Sequence, residues 1–144
     1  MKKIIIILVV LVFSISLFGQ TQTKRSVLPA NLAKWNKIDS NDLLNNPNIK
    51  SRLKRLLGNK NYTDFKESWE TINPVVKNGN FLFSNGCLIH ACGHLESAIA
   101  IDLVNNSIHA AIYNQAEKTR YFNEGNRKTP KAIKNWAKRL ALNQ

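Results

Sequence analysis

The sequence predicts an α+β domain, with an antiparallel sheet of four or five strands and N-terminal helices and a C-terminal helix packed on it. Three observations carry this expectation. The N-terminal third places apolar residues at helical spacing, and the middle switches to short alternating runs separated by tight-turn residues. The C-terminal segment then returns to helical spacing. With 144 residues and no internal repeat or low-complexity segment, the chain has room for one ordinary domain, expected over 29–144.

Within 29–38 a short helix is expected around Leu32 and Trp35. Asn46-Pro47 reads as a helix cap followed by proline in the first turn. Ile49, Leu53, Leu56 and Leu57 recur on one helical face, and Gly58 is expected to end that helix. A second helix is expected to start near Thr63 or Asp64. Tyr62, Phe65, Trp69 and Ile72 share its stripe, and Pro74 is its stop. Val75-Val76-Lys77 and Phe81-Leu82-Phe83 then flank Asn78-Gly79, a strong signal for a tight hairpin. Ile99, Ile101 and Leu103 alternate with small or polar residues, as do Ile108, Ala110 and Ile112 after a turn at Asn105-Asn106. A further strand is expected within 118–122. Thr129-Pro130 repeats the cap-then-proline signature, and Ile133, Trp136, Ala137, Leu140 and Ala141 make the apolar face of the last helix.

The N-terminus predicts export. Lys2 and Lys3 precede an apolar run over 4–18, interrupted only by Ser14 and Ser16, and Gly19 offers a small residue at a cleavage point. That run is the length of a signal-peptide core and short of the ~20 residues of a spanning helix. Residues 1–19 are therefore expected to be removed, 20–28 to be a flexible lead-in, and the mature protein to be periplasmic or secreted, with no stable membrane insertion after cleavage. Losing Lys2 and Lys3 lowers the formal net charge from +12 to +10. The positive charge is uneven. Lys50, Arg52, Lys54 and Arg55 form one cluster, and Arg127, Lys128, Lys131, Lys134, Lys138 and Arg139 another, whereas 78–117 contains no Lys or Arg. No aromatic-plus-basic motif accompanies the clusters, so nucleic acid is not an expected partner.

The chemistry concentrates in Gly86-Cys87-Leu88-Ile89-His90-Ala91-Cys92-Gly93-His94. Flanking glycines permit the positive backbone angles of a sharp loop. The two cysteines are the whole supply of an exported chain, and read first as a local disulfide that stiffens the loop for presentation. Two other readings stay open. Cys87, His90, Cys92 and His94 are all acceptable zinc ligands, although four within so short a segment is tight. Cys87 could instead be a nucleophile with His109 as its base, which requires a free thiol. The Cys-x-x-Cys-His of a covalent haem site is absent.

The pattern Gly-Cys-x-x-His-x-Cys-Gly between two strands resembles the protective loop of the inhibitor of vertebrate lysozyme (Ivy) family. The resemblance is best over 80–113, with looser agreement from Tyr62 to the C-terminal helix. It implies a disulfide-closed loop protruding from an α+β domain and plugging the active-site cleft of a C-type lysozyme. Carried over by motif, Cys87 and Cys92 would close the loop and His90 would point at the catalytic carboxylates. Family loops commonly carry a lysine before the histidine and an aspartate after it. Here those positions fall in Leu88-Ile89 and at Ala91, which implies a more apolar tip.

The expected function is thus a non-enzymatic, exported inhibitor of a C-type lysozyme or related muramidase, with no cofactor and no metal. Gly86, Cys87, Leu88, Ile89, His90, Ala91, Cys92 and Gly93 form its inhibitory loop. The competing reading is a basic periplasmic binding module for an anionic envelope polymer, with the loop purely structural. The oligomeric state is open, a homodimer included.

Overall fold

A computed structural model describes residues 27–142. The signal peptide expected over 1–19, and most of the lead-in expected over 20–28, lie outside the described residues. Leu28 is described, and it already packs into the core.

Helices come first, each begun by a side chain that satisfies otherwise unpaired amides. After a 3₁₀ turn at Leu32–Lys34, α1 (Ser40–Asn45) is capped by Asp39, which accepts the Asn41 N–H at 2.7 Å. Asn46 then caps α2 (Pro47–Glu67), accepting from Asn48 N–H at 3.1 Å and Ile49 N–H at 3.3 Å. Gly58, at φ 71° and ψ 171°, leaves the helical conformation and ends the first half of α2 as expected, but a second helical half begins directly after it, across a kink, and runs to Glu67. The second helix expected near Thr63 is therefore the distal half of α2 and begins earlier. Trp69 and Ile72 continue the apolar stripe of that half only in sequence. Trp69 lies past the helix end, stacked on Phe65 at 4.9 Å between ring centres, and Ile72 is in a strand.

Six antiparallel strands follow: β1 (Thr71–Ile72), β2 (Val76–Asn78), β3 (Phe81–Cys87), β4 (Leu95–Asp102), β5 (Ser107–Asn114) and β6 (Arg120–Asn123). Their order is β1-β3-β4-β5-β6, with β2 pairing β3 beyond β1 so that the two short strands share one edge. A tight hairpin joins β2 to β3 where Asn78-Gly79 signals it, but Asn78 pairs with Phe81, so the two turn residues are Gly79, at φ +57°, and Asn80.

The chain ends in α3 (Lys131–Leu142), and the sheet is covered on both faces. On one face α1 and α2 bury Leu43, Ile49, Leu53 and Phe65 against Ile99, Ile101, Ile108 and Ile112. On the other, Ile133, Trp136 and Ala137 of α3 lie on Ala98, Ala100, Ala111 and Tyr113. The small side chains there let the Trp136 indole approach the sheet closely. Ala141, expected on the apolar face of α3, is exposed.

One member of the expected basic clusters is not on the surface. Arg52 is 0% exposed. It forms an ion pair with Glu124 through Nε and Nη2, while Nη1 donates to Asn106 Oδ1 and Nη2 also to the Asn106 carbonyl, each at 2.7 Å. Lys50, Lys54 and Arg55 remain exposed, as do Arg127, Lys128, Lys131, Lys134, Lys138 and Arg139.

Candidate functional site

The segment 86–93 forms the connection between β3 and β4. Gly86 and Cys87 end β3, where Gly86 pairs with Ile72 and Cys87 with Thr71 on one side and Glu96 on the other. Gly86 does not supply the positive backbone angle expected of it. What the position requires is space: a Cβ there would lie 3.0 Å from Ile72 Cγ2 and 3.1 Å from the Thr71 carbonyl oxygen. Gly93, at the other end, does have a positive φ, +88°.

Between them the chain makes a tight turn. The Ala91 N–H donates to the Leu88 carbonyl at 2.9 Å, so Ile89 and His90 occupy its two central positions. His90 has φ +61°, in the left-handed region. Histidine is one of the non-glycine residues that tolerate this conformation, although uncommonly. The base is closed by the Leu88 N–H to the Leu95 carbonyl at 3.1 Å, and by the His94 and Leu95 N–H groups, both donating to the Ala91 carbonyl at 3.0 Å. Cys87 and Cys92 are joined by a disulfide with Cα atoms 5.0 Å apart.

The consequence is a small closed ring with its histidine outward. Ile89 is 56% exposed and His90 is exposed, whereas Leu88 and Ala91 are half-buried. The sulfurs are consumed in the disulfide, and His109, the base of the nucleophile reading, lies buried on β5. Its ring nitrogens meet Asn123 Oδ1 at 2.8 Å and Ser107 Oγ at 3.2 Å. His94 lies outside the ring, exposed. Among the described residues no three His, Cys, Asp or Glu side chains are grouped to hold a metal ion. What the arrangement can do chemically is present one imidazole and one apolar side chain on a rigid tip.

Two residues that sequence reasoning passed over support the ring. The Ile89 N–H donates to Glu70 Oε2 at 3.1 Å, and the Gly93 N–H to Glu96 Oε1 at 2.9 Å. Neither carboxylate belongs to a local motif. The one hint was Glu96 itself, an acidic residue near the start of a strand whose centre is apolar.

The family model described as Inhibitor of vertebrate lysozyme (Ivy) matches residues 48–143, a span that includes the whole ring, both glutamates and α3. The chain belongs to the Ivy family. No curated protein and no solved structure matches it. Ivy is a family of inhibitors and not of enzymes, and its target is lysozyme.

Proposed function

We propose that the protein is an exported inhibitor of a C-type lysozyme, and that it acts by inserting the ring 86–93 into the active-site cleft with His90 at the centre. The observation that carries this reading is the exposed His90 at the turn of a disulfide-closed ring. Lysozyme is a retaining glycosidase, whose two carboxyl groups lie ~5–5.5 Å apart. An imidazole has a nitrogen on either side, and as the cation both donate, so one histidine can bond two flanking carboxyl groups. Ile89 beside it would contact the apolar wall of the cleft. A ring already held by its disulfide loses little conformational freedom on entry. The absence of Lys and Arg over 78–117 favours approach to a positively charged enzyme despite the net charge of +10 that remains once residues 1–19 are removed. Among the described residues no helix is long and apolar enough to cross a membrane, and export rests on the segment 1–19.

The test is inhibition of a panel of C-type lysozymes by the wild type, His90→Ala, His90→Asn and His94→Ala. Losing one partner of a buried charged hydrogen-bonded pair costs ~2–5 kcal/mol, which is about thirty-fold to several-thousand-fold in affinity. His90→Asn tolerates the left-handed backbone, so its loss of potency measures the imidazole alone. His94→Ala should remain close to wild type. Equal potency of wild type and His90→Asn would refute insertion through His90, and a wild type that inhibits no lysozyme would remove the function.

A further inference from the structure

A histidine at φ +61° is held in a conformation that costs an L-residue roughly 1–2 kcal/mol, and it persists only where its surroundings over-determine it. The disulfide fixes the ends of the ring but not the four residues between the cysteines. Within those four, the turn bond from the Ala91 N–H to the Leu88 carbonyl is a single restraint. The remaining restraints come from outside those four: the main chain of 94–95 bonds the Leu88 N–H and the Ala91 carbonyl at the base, and two carboxylates reach the amides on either side of His90. Glu70 accepts the N–H of Ile89, the residue before His90, and Glu96 accepts the N–H of Gly93, three residues after it.

The two residues are held differently: Glu70 is exposed and fixed through its main chain, whereas Glu96 is buried and its carboxylate has a second partner. Glu70 lies between α2 and β1, and its own N–H donates to the Cys87 carbonyl at 3.3 Å. Glu96 stands directly opposite Cys87 in the β3–β4 pairing, and so on the same face of the sheet. It is 7% exposed, and its second oxygen accepts Trp136 Nε1–H at 3.2 Å from α3. Among the described residues no cationic side chain bonds either carboxylate; both are directed at N–H donors, the charge-assisted and stronger kind of hydrogen bond.

We propose that Glu70 and Glu96 are positioning residues, a pair of carboxylates that hold the His90 turn in its binding geometry and, through Glu96 and Trp136, tie it to the C-terminal helix. This rests on the reading of 86–93 as the inhibitory loop. The two glutamates differ in what would replace them. Glu70 supplies one acceptor, which glutamine also has. Glu96 supplies two acceptors to two donors, and glutamine would turn an NH₂ group toward one of those N–H groups.

The experiment uses the full disulfide-bonded protein with Glu70→Ala, Glu70→Gln and Glu96→Gln. Amide hydrogen exchange at Ile89 and Gly93 is followed by NMR without lysozyme, and association and dissociation rates are then measured with an inhibited C-type lysozyme. Glu70→Ala should speed exchange at Ile89 about ten-fold, and Glu70→Gln should restore it. Glu96→Gln should speed exchange at Gly93 and raise the dissociation rate, each about ten-fold or more. If Glu96→Gln does not fold, Trp136→Phe removes the helix donor and should also loosen Gly93. Unchanged exchange at both amides overturns the clamp. Faster exchange with an unchanged dissociation rate overturns the positioning role. Faster exchange in a protein whose wild type inhibits no lysozyme leaves the clamp standing and faults the inhibitory reading alone.

Discussion

Arg52 and Glu124, 72 positions apart in the chain, meet in the interior as an ion pair that joins α2 to the segment after β6. Glu124 also accepts the Ile108 N–H at 2.9 Å, so one carboxylate serves a helix and a central strand together. Removing one partner leaves a buried charge without its counter-charge, at a typical cost of ~3–5 kcal/mol. Arg52→Ala should therefore lower unfolding free energy by about that amount in a denaturant titration. Lys54→Ala, two positions away and exposed, should change it by under ~0.5 kcal/mol. An equal effect of the two would mean that the pair contributes nothing specific.

Gly86→Ala should destabilise through crowding. Its Cβ would press on Ile72 and on the main chain of Thr71, where backbone has little freedom to yield. Overpacking of this kind costs ~1–3 kcal/mol. The expected signature is loss of the β1 pairing, seen as faster amide exchange near Ile72, with the β4–β5 pairing intact.

Intact mass before and after reduction should differ by the two hydrogens of one disulfide, with no metal retained in the native sample. The chain-entropy estimate for so short a ring is only ~2 kcal/mol, so Cys87→Ser with Cys92→Ser should leave the domain folded. Inhibition should weaken by less than in His90→Ala, because the glutamate bonds to Ile89 and Gly93 remain. Two free thiols, or stoichiometric zinc, would return the metal and nucleophile readings to consideration.

Lys131, Lys134 and Lys138 lie on the solvent side of α3, opposite the face that carries Trp136. Neutralising all three should reduce binding to anionic polymers, with a steep salt dependence, and leave lysozyme inhibition near wild type. Against a positively charged lysozyme the association rate should rise. If inhibition collapses while the protein stays folded, this helix face is the interface and the ring is not.

What was legible in the sequence was written in local chemistry. Asn46-Pro47 favours a helix start from local chemistry alone, because the cap oxygen and the missing proline N–H both reduce the number of unpaired amides. Asn78-Gly79 similarly marks the place of the β2–β3 hairpin, although the turn itself is made by Gly79 and Asn80. The ring, its two cysteines and His90 were contiguous and could be read together. What stayed hidden depends on residues far apart. Arg52 looked like one more charge in a solvated cluster, since nothing near it announces Glu124 and Asn106. Glu70 and Glu96 acquire their role only when folding brings them to the amides of the ring. Gly58 breaks the helix as its local chemistry implies, but the next helical half follows directly, because Phe65 beyond it packs into the same core as Leu53 and Leu57.

Cover on both faces of the sheet also sets an order of events in time. β4 and β5 precede α3 in the chain, and so leave the ribosome before it. Until Ile133 and Trp136 arrive, Ala98, Ala100, Ala111 and Tyr113 make an apolar surface with nothing laid over it, and the indole that meets Glu96 is not yet there. A chain that still lacks α3 therefore has one face of its sheet uncovered, and that face closes only when the last twelve-residue helix is in place.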